Sequence, residues 1–183
     1  MKVAVIVGSL RKGSYNRMIA KALCAHAPAG MQCEIVEIGN LPLYNPDLEE
    51  GTVPPAWEDF RKRIRASDAV LFVTPEYNRS VPGPLKNAID VGSRPYGKSV
   101  WSGKSCAVVS VSPGALGAFG ANHHIRQSFV FLDMPAMQQP EAYIGNAASL
   151  FNAQGELVAD STRDFLTKYL AAFAAWCDRT GAR

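Results

Sequence analysis

The chain has 183 residues, of which 48% are hydrophobic and 19% charged, a composition typical of one globular domain over residues 1–183 with its own core. Its 19 Lys and Arg residues against 16 Asp and Glu residues leave a net charge of +3, with no run of five basic residues. This balance argues against a nucleic-acid partner. The basic cluster from Arg61 to Arg65 is predicted to form a solvated helix face.

The four cysteines, Cys24, Cys33, Cys106 and Cys177, are widely spaced and form no C-x-x-C motif. That spacing argues against a secreted disulfide framework and a zinc ribbon, and we expect buried apolar fillers rather than redox centres. No apolar run approaches the roughly 18 residues that a membrane helix needs. The apolar stretch at residues 3–7 is also shorter than a signal-peptide core. We therefore expect a cytoplasmic protein without a membrane partner.

Four short runs in the chain have strand character. Residues 3–7, 69–73 and 107–111 are apolar without alternation, as is typical of strands covered on both faces of a parallel sheet. The fourth run, residues 33–38, alternates more and is expected nearer a sheet edge.

Between and after these runs, apolar residues recur at helical spacing, in segments that include Met18, Trp57 and Ile125. Before the last helix, Ser161 and Asp164 resemble a capping box. The alternation of strands and helices predicts a doubly wound α/β sheet.

The loop after the first strand, residues 8–16, has glycines, hydroxyls and Arg11 just before a helix, a pattern typical of an anion cradle. Ser14 stands where a Walker A loop needs Lys, and Leu10 stands where a Rossmann loop needs Gly. A phosphatase loop would need a cysteine nucleophile, which this loop lacks. The loop therefore predicts a site for a terminal phosphate monoester without Mg²⁺, and an ordinary βα turn remains the alternative.

Two further loops follow apolar strands. Residues 74–90 are stiffened by prolines and offer Tyr77 to a flat heterocycle, although a Tyr77 that merely packs is the alternative. Residues 112–120 carry three glycines, which allow a ligand to approach the backbone closely. Because ligands bind outside the carboxyl ends of parallel strands, the three loops together predict a mononucleotide pocket.

The loop at residues 8–16, the Pro75-Glu76-Tyr77-Asn78 motif with its continuation to Asp90, and residues 124–133 resemble the NADPH-dependent FMN reductase family. The similarity extends from the first strand to the last helix and is greatest to the soluble bacterial quinone and chromate reductase branch. It implies a flavodoxin-like fold, in which a doubly wound five-stranded parallel sheet of order 2-1-3-4-5 has helices on both faces.

The resemblance also implies the cofactor contacts. It places the FMN phosphate and ribityl chain against Ser9, Arg11, Ser14, Tyr15 and Asn16. It places the isoalloxazine against Pro75, Glu76, Tyr77 and Asn78, with Ser112, Gly114 and Gly117 on the other side. Many relatives carry Trp in place of Val91 and Tyr in place of Arg79, so substrate preference is not carried over.

The activity that the resemblance implies is electron transfer from NADPH or NADH through bound FMN to quinones or other diffusible acceptors. These acceptors include chromate, azo or nitro compounds, ferric complexes and free flavin. We expect ping-pong kinetics and no catalytic side chain, because the flavin carries the chemistry. No metal is expected, since His123 and His124 are adjacent helical residues that point about 100° apart.

Two other function classes remain open from the sequence. A flavodoxin-type electron carrier without turnover of its own would tend to be acidic, whereas this chain has a net charge of +3. A response-regulator-like domain would need acidic residues at strand ends where Gly8-Ser9 and Thr74-Pro75 stand. The apolar stretch at residues 41–44, with the resemblance, implies a homodimer, and a dimer of dimers is the larger alternative.

Overall fold

The computed structural model describes residues 1–181 and places five strands in one parallel sheet of order β2-β1-β3-β4-β5, which confirms the predicted topology. The strands are β1 (Lys2–Val7), β2 (Gln32–Val36), β3 (Ala69–Thr74), β4 (Ser105–Val111) and β5 (Ala142–Ile144). The helices are α1 (Tyr15–Ala25), α2 (Pro46–Glu50), α3 (Pro55–Arg65), α4 (Gly83–Gly92), α5 (Phe119–Phe131) and α6 (Asp160–Thr180), with a 3₁₀ helix at Ala147–Leu150.

The sheet separates two layers of core side chains. In β1, Val5 faces the layer that α1 and α6 cover, whereas Ile6 faces the layer that α3, α4 and α5 cover. Burial on both faces explains why the central strands are apolar without alternation. The edge strand β2 instead exposes Gln32 and Glu34, so its predicted position near an edge is confirmed.

The predicted capping box before the last helix is wrong. Helix α6 begins at Asp160 and its N-cap residue is Ala159, which makes no side-chain cap. Ser161 therefore already lies within the first turn. The carboxylate of Asp160 stabilises the start of the helix, because a negative charge interacts favourably with the positive end of the helix dipole. The same carboxylate pairs with Arg163.

The predicted solvated basic face is also wrong at Arg61, which is 4% exposed. Its guanidinium makes two hydrogen bonds to Glu49, at 2.9 and 2.6 Å, and its Nε donates to the carbonyl of Val91 at 2.9 Å. It also lies over the ring of Trp57. The burial depends on α2, which supplies Glu49 from a segment without a strong helical pattern.

Candidate functional site

The first two loops meet at the carboxyl edge of the sheet, between β1 and β3. The amide of Gly8 donates to the carbonyl of Val73 at 2.8 Å. A Cβ at Gly8 would lie 3.1 Å from Leu85 Cδ2 and 3.3 Å from Pro75 Cδ, so the close approach of the two loops favours glycine here. The loop after β1 is thereby held against the start of the Pro75–Asn78 segment.

The loop after β1 ends in the N-terminus of α1. Ser14 is the N-cap residue, and its hydroxyl oxygen accepts a hydrogen bond from the amide of Arg17 at 3.3 Å. A hydroxyl that accepts in this way keeps its own proton for another acceptor. The amides of Tyr15 and Asn16 belong to the first turn, which has no intrahelical acceptors for its N–H groups. Together these donors can hold a phosphate.

Two arginines lie in this region, and their environments differ. Arg17 makes a bidentate pair with Glu37, with Nη1–Oε1 and Nη2–Oε2 distances of 2.8 and 2.5 Å. Hydrogen bonding to Arg17 lowers the pKa of Glu37, and the same bond raises the pKa of Arg17. Arg11 is exposed and lines the cavity described next, so it is the arginine positioned for an anionic ligand.

A cavity of about 460 Å³ lies between the two loops. Its lining is formed by Gly8, Ser9, Leu10, Arg11, Tyr77, Pro82, Gly83 and Pro84. The structure thus brings the predicted residues Ser9, Arg11 and Tyr77 to one cavity. The residues predicted from the sequence did not include Leu10 or the Pro82–Pro84 segment. These residues belong to the two loops that follow β1 and β3, and that position was the signal that could have identified them.

The Tyr77–Ser80 segment is a tight turn. The amide of Tyr77 donates to the carbonyl of Ser80 at 3.0 Å, and the reciprocal bond measures 2.9 Å. The two central residues, Asn78 and Arg79, have φ values of 50° and 64°, as a type I′ turn requires. The turn leaves Tyr77 56% exposed at the cavity, so this ring is available to a ligand.

Glu76 is held by two protein donors. One carboxylate oxygen accepts from the amide of Ala121 at 3.1 Å, and the other accepts from Arg79 at 2.9 Å. Ala121 lies in the first turn of α5, whose own N-cap residue, Ala118, provides no side-chain cap. The predicted cofactor residue Glu76 therefore caps a neighbouring helix with its side chain.

The third loop packs mainly against the exit of β5. Gly117 has a φ of 58°, and a Cβ there would lie 2.6 Å from the carbonyl carbon of Tyr143. The close contact with β5 therefore explains why a glycine occupies position 117. Ser112 donates from its hydroxyl to the carbonyl of Gly114 at 3.0 Å, and both lie at the same sheet edge as the cavity. The residues that line the cavity come from the other two loops.

Asn16 connects the first loop to β4. Its Nδ2 donates to the carbonyl of Val111 at 3.4 Å, while its buried Oδ1 has no hydrogen-bond partner among the residues that the structure describes. An unpaired buried acceptor costs about 1–3 kcal/mol, which a ligand hydroxyl could offset. A phosphate cradle, an unpaired acceptor and an exposed aromatic ring along one sheet edge fit FMN, which has a phosphate, a hydroxylated chain and a flat ring system.

Residues 1–181 contain neither a metal-ligand cluster nor a membrane-spanning helix. No group of three or more His, Cys, Asp or Glu side chains in this part of the chain is arranged to hold a metal ion. None of the helices described here is both long and apolar enough to cross a membrane.

The chain is similar to known proteins over nearly its whole length. The model of the NADPH-dependent FMN reductase family matches residues 1–149. A quinone reductase of Pseudomonas putida is 68% identical over 174 residues, which cover 95% of this chain and 93% of that protein. An NAD(P)H-dependent FMN reductase of Pseudomonas aeruginosa is 45% identical, with 98% of this chain and 96% of that protein covered.

A solved structure agrees with these matches. FerB, a flavoenzyme NAD(P)H:acceptor oxidoreductase from Paracoccus denitrificans, is 41% identical, and the match covers 99% of each chain with a TM-score of 0.92. The chain therefore belongs to the NADPH-dependent FMN reductase family.

Proposed function

We propose that this protein is an NAD(P)H-dependent flavin oxidoreductase that passes electrons from nicotinamide through bound FMN to quinones. The observation that carries the proposal is the cavity at the carboxyl edge of β1 and β3, in a chain 68% identical to a quinone reductase. Chromate, azo and nitro compounds, ferric complexes and free flavin are further acceptors in the proposal. The whole chain acts as one FMN-binding domain.

The protein groups hold and orient the reactants. Ser9, Ser14 and Arg11 bind the phosphate, with the α1 amides and the helix dipole favouring its negative charge. Asn16 accepts from the ribityl chain, and Tyr77 shapes the cavity beside the ring system. Bound FMN supplies the hydride and electron-transfer chemistry.

No acid–base side chain is assigned to the rate-determining step. The cavity lining as described contains neither a carboxylate nor an imidazole. Glu76, the nearest carboxylate in the motif, is engaged by Ala121 and Arg79. The backbone amides of Glu76 and Asn78 and the side chain of Asn78 remain as donors that can stabilise negative charge on a bound ring.

A homodimer with the cavity near its interface completes the proposal. Large apolar side chains are exposed on segments next to the cavity, with Leu43 at 79% and Leu10 at 50%. Apolar surface of this kind is typical of protein interfaces. Light scattering of the FMN-loaded protein at micromolar concentration should give twice the 19.8 kDa chain mass, or a multiple of that dimer. A monomer alone would contradict the dimer.

The cytoplasmic location stays a prediction from the cysteine spacing.

The test of the function uses purified protein reconstituted with FMN. We expect a yellow protein that bleaches anaerobically with NADPH or NADH and is reoxidised by a quinone over many turnovers. A protein that binds FMN but oxidises neither nicotinamide would be an electron carrier instead. A protein that binds no FMN would refute the proposed site.

A further inference from the structure

Arg79 occupies a position in the Tyr77–Ser80 turn that does not suit an arginine. Its φ of 64° lies in the left-handed region, where a residue with a long side chain is strained and Gly, Asn or Asp is preferred. A strained residue that persists beside a ligand site points to a role for that residue in the site. The backbone of the turn does not require an arginine here, so the role belongs to the side chain.

The turn that carries Arg79 is fixed against the start of α5. A hydrogen bond of 2.6 Å joins the hydroxyl of Ser80 to Nδ1 of His124. A Cβ at Gly120 would lie 3.3 Å from the carbonyl oxygen of Arg79, so the two backbones approach closely. The base of the Arg79 side chain is therefore held where the second loop meets the third.

The guanidinium of Arg79 is only partly engaged. Its Nη1 donates to Glu76 at 2.9 Å, and within residues 1–181 the side chain makes no other hydrogen bond. The side chain is 76% exposed. Because Glu76 also accepts from the amide of Ala121 at the positive end of the α5 dipole, its negative charge is shared between the helix and Arg79. Arg79 therefore keeps donors and positive charge for a further anion.

The two exposed arginines of the site would meet different anions. Arg11 lines the cavity next to the start of α1, where we place the single phosphate of FMN. Arg79 follows Tyr77 by two residues in the chain, and Tyr77 lines the part of the cavity that we assign to the ring system. A reactant that stacks on this ring is then the source of a second anion. A charged substituent on a quinone is attached directly to the reacting ring, whereas the phosphates of a nicotinamide dinucleotide are separated from its ring by a ribose.

From this arrangement we infer that Arg79 is a specificity-determining residue that selects quinones with an anionic substituent, such as a sulfonate or a carboxylate, by a charge-assisted hydrogen bond to that substituent. The inference rests on the proposed function, because the acceptor must reach FMN bound in the same cavity. The redox chemistry is that of the proposed function, so Arg79 affects which acceptor binds and not the reaction.

The test compares a neutral quinone with its sulfonated counterpart on the FMN-loaded protein. The flavin is photoreduced anaerobically, and its reoxidation by 1,4-naphthoquinone or 1,4-naphthoquinone-2-sulfonate is followed by stopped-flow absorbance. Arg79→Asn suits the left-handed φ and removes the charge. We expect it to lower the second-order rate constant for the sulfonated quinone about tenfold and to leave that for the neutral quinone within about twofold. Each comparison is between variant and wild type on one quinone, so the different reduction potentials of the two quinones cancel.

Binding is measured separately with naphthalene-2-sulfonate, which the flavin does not reduce, from the change in flavin absorbance of the oxidised protein. Its dissociation constant should rise about tenfold in Arg79→Asn. The rise should be smaller in Arg79→Lys, which keeps the charge but not the planar fork. Arg65→Asn is the matched control, because it removes the same charge from an exposed position at the end of α3, at the opposite end of the sheet, and it should change neither measurement. Circular dichroism and the flavin spectrum check that each variant is folded and loaded.

Equal effects of Arg79→Asn on the two quinones, or no effect on either, would overturn the inference. A loss confined to flavin reduction by NADPH would assign Arg79 to the dinucleotide and would overturn it as well. Failure of the proposed function is distinguishable from these results. In that case the wild type binds no FMN, or neither quinone reoxidises its flavin, and the inference falls with the proposal.

Discussion

Arg11 and Arg17 show how neighbouring residues of one type take different roles. Both follow β1 within a short stretch, but Arg17 is bound by both carboxylate oxygens of Glu37, whereas Arg11 is exposed beside the cavity. A guanidinium already paired in a bidentate way has few donors left for a ligand. The local sequence contains no signal that distinguishes the two, because Glu37 is supplied from beyond β2.

Arg11→Ala should weaken FMN binding by about 10- to 150-fold, because it removes a charge-assisted contact that contributes roughly 1.5–3 kcal/mol. Arg17→Ala is the matched control and should change FMN affinity little. Fluorescence titration of the apoprotein with FMN measures both. If Arg11→Ala and Ser9→Ala both bind FMN as tightly as the wild type, the phosphate-loop assignment is wrong.

Both carboxylate oxygens of Glu76 already have protein partners, Ala121 and Arg79. Glu76→Gln keeps a carbonyl oxygen for the amide of Ala121 but loses the ion pair to Arg79. Because the side chain of Arg79 is 76% exposed, that pair contributes little. We therefore expect full FMN occupancy and an anaerobic flavin-reduction rate near that of the wild type. Stopped-flow absorbance with NADPH measures the rate, and loss of most of it at full occupancy would make Glu76 a chemical participant.

The side chain of Asn87 links the segment at residues 41–44 to α4 by hydrogen bonds. Its Oδ1 accepts from the amide of Tyr44 at 2.9 Å, and its Nδ2 donates to the carbonyls of Leu41 and Pro42 at 3.3 and 3.0 Å. A residue that is 8% exposed thus holds the segment from Leu41 to Tyr44. Leu10, which lines the cavity, lies against Gly39, two residues before that segment, so α4 helps to position the wall next to the cavity.

Asn87→Ala should lower the free energy of unfolding by about 1–3 kcal/mol, because buried backbone groups of residues 41–44 lose their partners. Lys86→Ala is the matched control, since its exposed pair with Asp90 contributes at most about 0.5 kcal/mol. Urea unfolding followed by circular dichroism measures both. Equal, small effects from the two variants would show that Asn87 is dispensable for this segment.

At the scale of the whole molecule, the parallel sheet gathers the strand-end loops at one edge. The cavity between the first two loops is bounded by the start of α4 and by the turn at Tyr77. Its volume of about 460 Å³ is within the range of small-molecule sites, and we expect nicotinamide and acceptor to use the same exposed face of bound FMN in turn.

A shared site predicts ping-pong kinetics. Initial rates over a matrix of NADPH and quinone concentrations should give parallel double-reciprocal lines, and excess quinone should compete with NADPH. Intersecting lines would mean that both substrates bind together, which contradicts a single shared site.

The sequence alone was enough to predict the architecture and much of the site. Three continuous apolar runs predict central parallel strands, because only strands covered on both faces omit polar residues. The parallel arrangement then requires that the loops after those strands meet at one edge, which is why Ser9, Arg11 and Tyr77 could be assigned to one pocket. Both inferences depend on local patterns and on a general rule of sheet geometry.

The tertiary structure alone decided which polar groups are already engaged. Glu76 meets Ala121 across 45 residues, and Arg61 is buried by a carboxylate from α2. No spacing rule connects these partners, because each contact is set by the packing of separate elements. For this reason the sequence predicted which loops carry ligand-binding chemistry. It did not predict which polar side chains are engaged by other parts of the protein and which remain for a ligand.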